Sequence, residues 1–553
     1  MPAPRASLLS RIDFAVVAKV IGVFVMAFSL TMVLPILVGW WRNERFVTAD
    51  RNTLVGTLAS LGVGLLVGAL FWLYGRRSEG EFYRREGILT VALVWLIVGA
   101  LGALPFALSG VLSFVDAFFE SVSGLTTTGS SILGSNATPS IQSMPPSLLF
   151  WRSWLHWLGG LGIVVVFLAF LPALGVTEKT LFQAEVAGVS KEGLRPRIRH
   201  STFMLLKIYF AITALLGLAF LAFGMNIFEA LCHSFATIAT GGFSTKNYSI
   251  GEFDSIAIEV TATIGMLLAA TNFGLYHSFV NQFKPMFHER KWWPEWRRRP
   301  SFAQLWKVFA QDPEWRFYAT TVAVVMLFLT LVLAFSGEDV TGGDGIARAY
   351  ESSIGRCVRD ASFQTASLVS STGFANSNLL QWPQLAQAAV LLLMIIGGCS
   401  GSTGGGIKMA RALVLLKLIG RSLRRFIRPR SVEPLRIGKE AIDLETADRI
   451  VALAACWMVI LGLGTLALII LEPRLDMIGS FTSMVTALCN MGPAFVLVDG
   501  VGAPYGGVID IGSYGSFGEF SASSKAFMAF VMILGRLEIY TALIIVVPSF
   551  WKD

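Results

Sequence analysis

The sequence predicts an all-α polytopic membrane protein. A helix, a re-entrant half-helix and a second helix recur four times around one axis, after two extra transmembrane helices. Three observations carry that prediction. First, apolar types make up 54% of the 553 residues and charged types only 14%, with a mean hydropathy of +0.65. Soluble domains carry about 25% charged residues. A chain this poor in charge cannot cover a water-facing surface, which excludes soluble enzymes, disordered chains and collagen-like chains. Second, the apolar runs are long and continuous rather than alternating over ~10 residues, which argues against an outer-membrane barrel. Third, a short turn rich in Gly and Ser/Thr appears four times.

Ten stretches approach the roughly 20 apolar residues that a spanning helix needs: 18–41, 53–75, 88–108, 148–172, 203–224, 256–282, 318–336, 386–418, 449–471 and 526–549. The first follows Arg5, Arg11 and Lys19 but is too long for a signal peptide and has no A-x-A site after it, so it reads as a retained helix. Only the eighth is visibly interrupted, by Gly397–Gly406. Helices two, four, six and eight each exit into a basic segment, among them Arg76 to Arg85 and Arg421 to Lys439. The positive-inside rule places these segments, and both termini, in the cytoplasm. Arg42, Arg45 and Arg51 in the first outside loop run the other way and are outweighed by the four concordant loops. The net charge of +8 is the same bias and calls for no nucleic acid. Cys232, Cys357, Cys399, Cys456 and Cys489 form no CxxC pair and the five histidines are scattered, so neither a disulfide framework nor a zinc site is expected.

The outside loops after helices three, five, seven and nine each hold an apolar stretch too short to span: Asp116–Thr126, Phe228–Ile238, Asp360–Ser370 and Gly479–Cys489. Short apolar segments at membrane depth read as re-entrant half-helices. Residues 1–85 then hold the two extra helices and 86–202 the first repeat. Residues 203–316 hold the second repeat with a basic, Trp-rich cytoplasmic loop, 317–448 the third with a broken second helix, and 449–553 the fourth. Such internal repetition is the strongest organisational signal in the chain.

The four turns are Thr127-Thr128-Gly129, Ala239-Thr240-Gly241, Ser371-Thr372-Gly373 and Asn490-Met491-Gly492. Asp116 and Asp360 stand at one place in repeats one and three, thirteen positions before the glycine. A half-helix entering from outside points its partially negative C-terminal end at the membrane centre, which favours a cation. Glycine lets the turn bend and approach closely. Four such turns around one axis make rings of carbonyl oxygens able to replace the water shell of a monovalent cation. None of the turns holds a carboxylate, so a divalent-cation ring is not indicated.

These turns, with Gly397–Lys408, Gly535-Arg536-Leu537-Glu538-Ile539-Tyr540-Thr541 and Pro548-Ser549-Phe550-Trp551, resemble the TrkH/KtrB/HKT superfamily of potassium transporters, closest to its TrkH branch, over nearly the whole chain. The resemblance implies four membrane-pore-membrane units forming one pore per subunit, usually in a homodimer. It also implies a TrkA-like nucleotide-binding partner in the cytosol and a K⁺ filter built from the turns. Relatives with glycine in all four filters prefer K⁺, which matches Gly129, Gly241, Gly373 and Gly492. In repeat two either Gly241 or Gly242 can fill the filter position, and spacing from the half-helix favours Gly241. The basic segment Glu289–Trp315, with Trp292, Trp293, Trp296, Trp306 and Trp315, and the Gly-rich segment Val496–Ser524 look longer than the family's.

Gly397-Gly398-Cys399-Ser400-Gly401-Ser402-Thr403-Gly404-Gly405-Gly406 matches neither the phosphate loop, which needs Gly-Lys-Ser/Thr, nor G-x-S-x-G. Both enzyme readings are rejected, and no organic cofactor is expected. Unwound backbone at membrane depth survives only in protein or beside water, so this stretch reads as a gate below the filter, as in the related family. Arg536 falls near the middle of the last predicted helix, where an arginine costs at least about 2.5–3.5 kcal/mol and is functional or paired. Carbonyls of the broken helix or water are its expected partners, since Glu538 faces elsewhere. K⁺ uptake across a bacterial inner membrane is the resulting expectation. The alternative is a secondary K⁺ or Na⁺ transporter coupled to H⁺ or Na⁺. It calls for intramembrane carboxylates as relays, and few are visible.

Overall fold

The computed structural model describes residues 12–42, 44, 53–78, 83–170, 195–282, 302–336, 354–430, 434–438, 440–498 and 509–551. Among the described residues the fold is helical, apart from two antiparallel ladders of two residues per strand: Arg436–Ile437 with Glu440–Ala441, and Leu497–Val498 with Ile509–Asp510. Among the described residues six helical stretches are long and apolar enough to cross a membrane, or up to eight if each bent pair is one span.

Helices α1 (Phe14–Leu30) and α2 (Val33–Trp41) make the first span, and α3 (Thr53–Gly75) returns against it. Asp13 caps α1 by accepting from the Ala15 and Val16 N–H groups. Lipid is as apolar as leucine, so helices in it associate by close packing of small residues. The α1–α3 contact follows that rule: a Cβ built on Gly22 would lie 2.5 Å from the Trp72 nitrogen and 2.7 Å from the Gly68 oxygen.

The repeats begin with α4 (Arg84–Leu108), the half-helix α5 (Phe114–Leu125) and α6 (Pro146–Phe170). The second holds α7 (Arg195–Ala222), the half-helix α8 (Ile227–Ile238), α9 (Ile256–Ala269) and α10 (Phe273–Asn281). After α11 (Phe302–Gln311) comes the third, with α12 (Pro313–Phe335), the half-helix α13 (Ile354–Val369), α14 (Gln384–Ile396) and α15 (Met409–Ile427). The fourth holds α16 (Leu444–Leu471), the half-helix α17 (Met477–Cys489), α18 (Ala522–Arg536) and α19 (Tyr540–Val546). Each half-helix packs between the long helices of its repeat. Ser113, Asn226 and Asp476 cap α5, α8 and α17 by accepting from the third N–H along.

Three expectations from the sequence need correction. The stretch 256–282 is bent by 90° between α9 and α10, where the Asn272 side chain accepts from the Gly274 N–H and starts a new helix. The stretch 526–549 is bent by 112° between α18 and α19, where Glu538 and Ile539 take the left-handed backbone (φ 54° and 55°). Arg536 is therefore the last residue of α18 and not the middle of a straight helix. A hydropathy window averages over one or two polar or strained residues and cannot see either bend. The third half-helix also starts six residues before Asp360, at Ile354, because its first turns are amphipathic rather than apolar.

The two long segments are partly described. Residues 289–301 and 499–508 lie outside the described residues. Trp306 and Trp315 meet edge to face, with ring centroids 5.4 Å apart, on either side of Asp312, which caps α12. Beyond the fourth half-helix the chain crosses to the first repeat, where the Phe517 N–H donates to the Ser131 oxygen (2.9 Å).

Candidate functional site

The four turns close a cycle. A Cβ built on Gly129 would strike the Gly241 carbonyl oxygen, and one on Gly242 the Thr372 carbonyl oxygen. One on Gly373 would lie 3.0 Å from the Gly492 nitrogen, and one on Gly492 lies 3.3 Å from the Gly129 oxygen. Each turn thus abuts the next by backbone, in the order one, two, three, four, one.

The turns also share one backbone pattern. Thr127, Thr240, Ser371 and Asn490 are all left-handed, with φ between 52° and 61°. The next residue in each turn donates its N–H five residues back into the half-helix: Thr128 to Ser123, Gly241 to Ala236, Thr372 to Ser367 and Met491 to Thr486, at 2.8–3.0 Å. That alignment corrects the expected register of repeat two. Gly241 sits where Thr128, Thr372 and Met491 sit. Gly242, with φ 83°, is the partner of Gly129 and Gly373, both at φ 80°. Gly241 stays in the turn, one place earlier than its Thr-Gly pairing implied. A Cβ on Gly241 would meet the His156 ring, so that neighbour also demands glycine there. Ala239 lies before the left-handed residue and ends the half-helix.

Side chains within the half-helices hold the outgoing strands. Ser123, Ser367 and Thr486 each donate a hydroxyl to the carbonyl seven residues on, in Ser130, Phe374 and Pro493, at 2.6–2.7 Å. Repeat two has Ala236 at that place. There His156 takes over: its Nε2 accepts from the Phe243 N–H (3.2 Å), which leaves Nδ1–H to donate to the Gly124 oxygen (2.8 Å). Three residues nearer the start of each of the first three half-helices stands another buried polar group. Glu120 accepts from Ile132 N–H and Ser131 Oγ, His233 bonds Ser244 Oγ, and Gln364 donates to the Ser377 oxygen. Arg152 completes this support. Its Nε donates to Glu120 (2.6 Å), its Nη2 to Ser131 Oγ (3.0 Å), and its guanidinium lies 4.0 Å from the Phe243 ring centroid. Both side chains of the pair are at most 1% exposed.

Beneath the turns lies the broken helix. Thr403 donates its hydroxyl to the Ile238 oxygen (3.0 Å) at the end of α8, and the Gly405 N–H donates to Ser371 Oγ (2.6 Å). A Cβ on Gly404 would lie 2.7 Å from the Ser370 oxygen, and one on Gly405 would strike the Cys489 oxygen. The loop is thus pressed against the C-terminal ends of three half-helices. Gly159 of α6 lies against Leu125, at the end of the first. Gly397, Gly401 and Gly406 are left-handed, and Gly398 and Gly401 lend their oxygens to Met409 and Phe273. Ser402 closes a turn onto the Cys399 oxygen, and Lys408 Nζ donates to the Gly404 oxygen. Arg536, 3% exposed, donates from Nη1 to the Thr403 oxygen (2.9 Å) and from Nη2 to the Gly159 oxygen (3.4 Å). Its Nε is buried with no hydrogen-bond partner among the described residues. Glu538 instead pairs with Arg411.

A buried carboxylate also holds the loop. Glu314, in the first turn of α12, accepts from the Ser400 N–H (2.6 Å) and the Ala410 N–H (3.0 Å). One side chain therefore grips both the first half of the loop and the start of α15.

The family model described as TrkH, cation transport protein, matches residues 59–552. The chain belongs to the TrkH family. Among relatives, the Trk system potassium uptake protein TrkH of Salmonella typhimurium strain LT2 is 33% identical over 98% of this chain and 100% of its own. The protein of the same description from Halomonas elongata is 34% identical over 97% and 99%. The crystal structure of the potassium transporter TrkH from Vibrio parahaemolyticus superposes with a TM-score of 0.78 at 30% identity, covering 98% of this chain and 100% of that one.

Several site residues of this TrkH-family chain escaped the sequence reading: Glu120, Arg152, His156, Glu259 and Glu314. Glu120 within a half-helix, and Glu259 and Glu314 in the first turns of α9 and α12, are buried carboxylates. For Arg152, His156 and Glu259 a signal was there, since ionisable residues inside predicted spans are functional or paired by default; Glu120 lies in a predicted half-helix, and Glu314 falls before the predicted span 318–336 and carried no such signal. Here they are paired: Glu120 with Arg152, Glu259 with Arg359, and Glu314 with two backbone N–H groups.

Proposed function

We propose that the chain is the pore-forming subunit of a potassium-uptake system, passing K⁺ through the ring of turns. The single observation that carries the reading is the closed cycle of four turns with one shared backbone pattern. Carbonyl rings of this kind take the place of the water around a monovalent cation. The residues assigned to the filter are Thr127, Thr128 and Gly129, Thr240, Gly241 and Gly242, Ser371, Thr372 and Gly373, and Asn490, Met491 and Gly492. The half-helix ends add partial negative charge below them. The loop Gly397–Gly406 and Arg536 are the gate, because they occupy the space directly beneath those ends. Membership of a cation transport family and the potassium uptake described for its relatives support the choice of ion.

In this reading the protein lies in a bacterial inner membrane with both termini cytoplasmic, works as a homodimer, and is opened by a TrkA-like nucleotide-binding subunit. Relay carboxylates would favour a coupled carrier. Glu120 and Glu259 are instead held by arginines, and Glu314 caps the loop. Liposome flux with K⁺ against Na⁺, with and without a pH gradient, tests this reading. K⁺ flux should exceed Na⁺ flux and follow the K⁺ gradient alone. Uphill K⁺ accumulation driven by the pH gradient would replace the pore with a coupled carrier.

A further inference from the structure

Helix α15 leaves the broken loop and runs to Ile427 as a two-faced rod. Leu416, Ile419, Leu423, Phe426 and Ile427 make an exposed apolar stripe, with Phe426 90% exposed. At 100° per residue these five lie within about 100° of arc, and Lys417, Arg421, Arg424 and Arg425 lie together on the flank beside them. A basic helix with such a stripe is the form that lies in a membrane interface. The ladder of Arg436–Ile437 with Glu440–Ala441 lies beside the same helix, with Leu435 and Ile437 packed against Val414. Lys417 Nζ ties the two together by donating to the Arg436 oxygen (2.6 Å).

Between helix and hairpin is a cleft of about 410 Å³, lined by Lys417, Gly420, Arg421, Arg424 and Arg436. None of the described lining residues is acidic. Arg421 Nε is buried there with no hydrogen-bond partner among the described residues. A buried, unmatched guanidinium donor is costly, and a cluster of like charges repels itself. Both costs are removed by one anion with several acceptor oxygens. Phosphate fits, since guanidinium forks match its geometry.

We propose that this cleft binds the phosphate of an anionic phospholipid from the cytoplasmic leaflet. The apolar stripe beside the cations decides for a lipid over a soluble phosphate, because acyl chains have a surface to cover there. The bound lipid pins α15, and α15 starts at Met409 where the broken loop ends, so the site is coupled to that loop through the chain itself. The binding does not depend on which ion the protein carries.

The test is native mass spectrometry of the full-length protein in detergent, with phosphatidylglycerol, cardiolipin or phosphatidylcholine added. Retained phosphatidylglycerol or cardiolipin should exceed phosphatidylcholine. Arg421→Gln and Arg436→Gln should each weaken anionic-lipid retention roughly fivefold, as expected for one cation near a charged headgroup. Arg449→Gln on α16, whose side chain pairs with Glu445 in solvent, serves as the variant that should change nothing. Excess glycerol phosphate should not displace the lipid; displacement by the soluble compound alone would make the site one for a free phosphate and overturn the proposal. So would equal lipid retention in the parent and both variants. Loss of binding to the nucleotide-binding subunit, with lipid retention unchanged, would reassign the cleft to a protein partner. Circular dichroism of each variant separates lost binding from lost folding.

Discussion

The ring of turns and the layer directly beneath it are built on opposite plans. In the ring all four repeats do the same thing: one left-handed residue, one N–H returned to the half-helix, one close backbone approach to the neighbour. Beneath it they do four different things. Repeat one keeps a continuous helix with Gly159 and Gly160, and repeat two bends at Asn272. Repeat three unwinds over Gly397–Lys408, and repeat four ends its helix on Arg536. The contrast teaches where symmetry is needed. On the proposed reading the ring coordinates an ion, which works only if every segment supplies its oxygens at one height, so each departure there is penalised. An obstruction needs only one loop and one side chain, and the other repeats need only make room.

This contrast can be broken from above or from below. Changes in the support of the ring should cost stability and selectivity, and changes beneath it should alter flux alone. The largest effect is expected for Arg152→Ala, which strands the buried Glu120 carboxylate. Losing one partner of a buried pair costs about 3–5 kcal/mol, read as a large drop in melting temperature in detergent with K⁺/Na⁺ selectivity degraded in whatever protein survives. Next comes Gly242→Ala. A left-handed backbone costs a residue with a Cβ about 1–2 kcal/mol, and here the Cβ also meets the Thr372 carbonyl. The K⁺/Na⁺ flux ratio should fall, as it should for Gly129→Ser. A normal ratio with normal yield would remove these glycines from the filter.

Arg536→Ala should leave selectivity intact and raise basal K⁺ flux roughly tenfold, about 1.4 kcal/mol of barrier, while Arg536→Lys, which keeps the charge, stays nearer the parent. Lower yield together with lower flux for Ala, not rescued by Lys, would make Arg536 a structural strut. The smallest change is Thr403→Val. It removes hydroxyl bonds to the Ile238 and Ala269 oxygens, worth about 1 kcal/mol, and should raise basal flux slightly with the flux ratio unchanged. A shifted ratio would mean that ring and loop are one unit.

Much of this was legible along the chain because it is local. The four half-helices announce themselves by length, being apolar but too short to span. The broken eighth helix announces itself by ten residues rich in glycine. The polar turn residues and the basic loops follow from composition at single places, and composition does not depend on what packs where. The register of repeat two was not legible. Thr240-Gly241 copies the Thr-Gly of repeats one and three, but the hydrogen bond to Ala236 and the left-handed Gly242 put the match one residue later.

What the sequence determined alone was therefore the plan: helical membrane class, four short apolar helices each followed by a turn, and which helix is broken. Only the tertiary structure decided how the repeats meet. It placed Gly242 rather than Gly241 against the third turn, ended the last long helix at Arg536, and gave that arginine carbonyls from Thr403 and Gly159, 133 and 377 positions away. It likewise joined Glu120 to Arg152, and Glu314 to the loop 86 residues on. The physical reason is that a buried charge or a strained backbone marks its own position but not its partner's. Its cost is met by a partner chosen through packing in three dimensions, and no window along the chain contains both members of the pair.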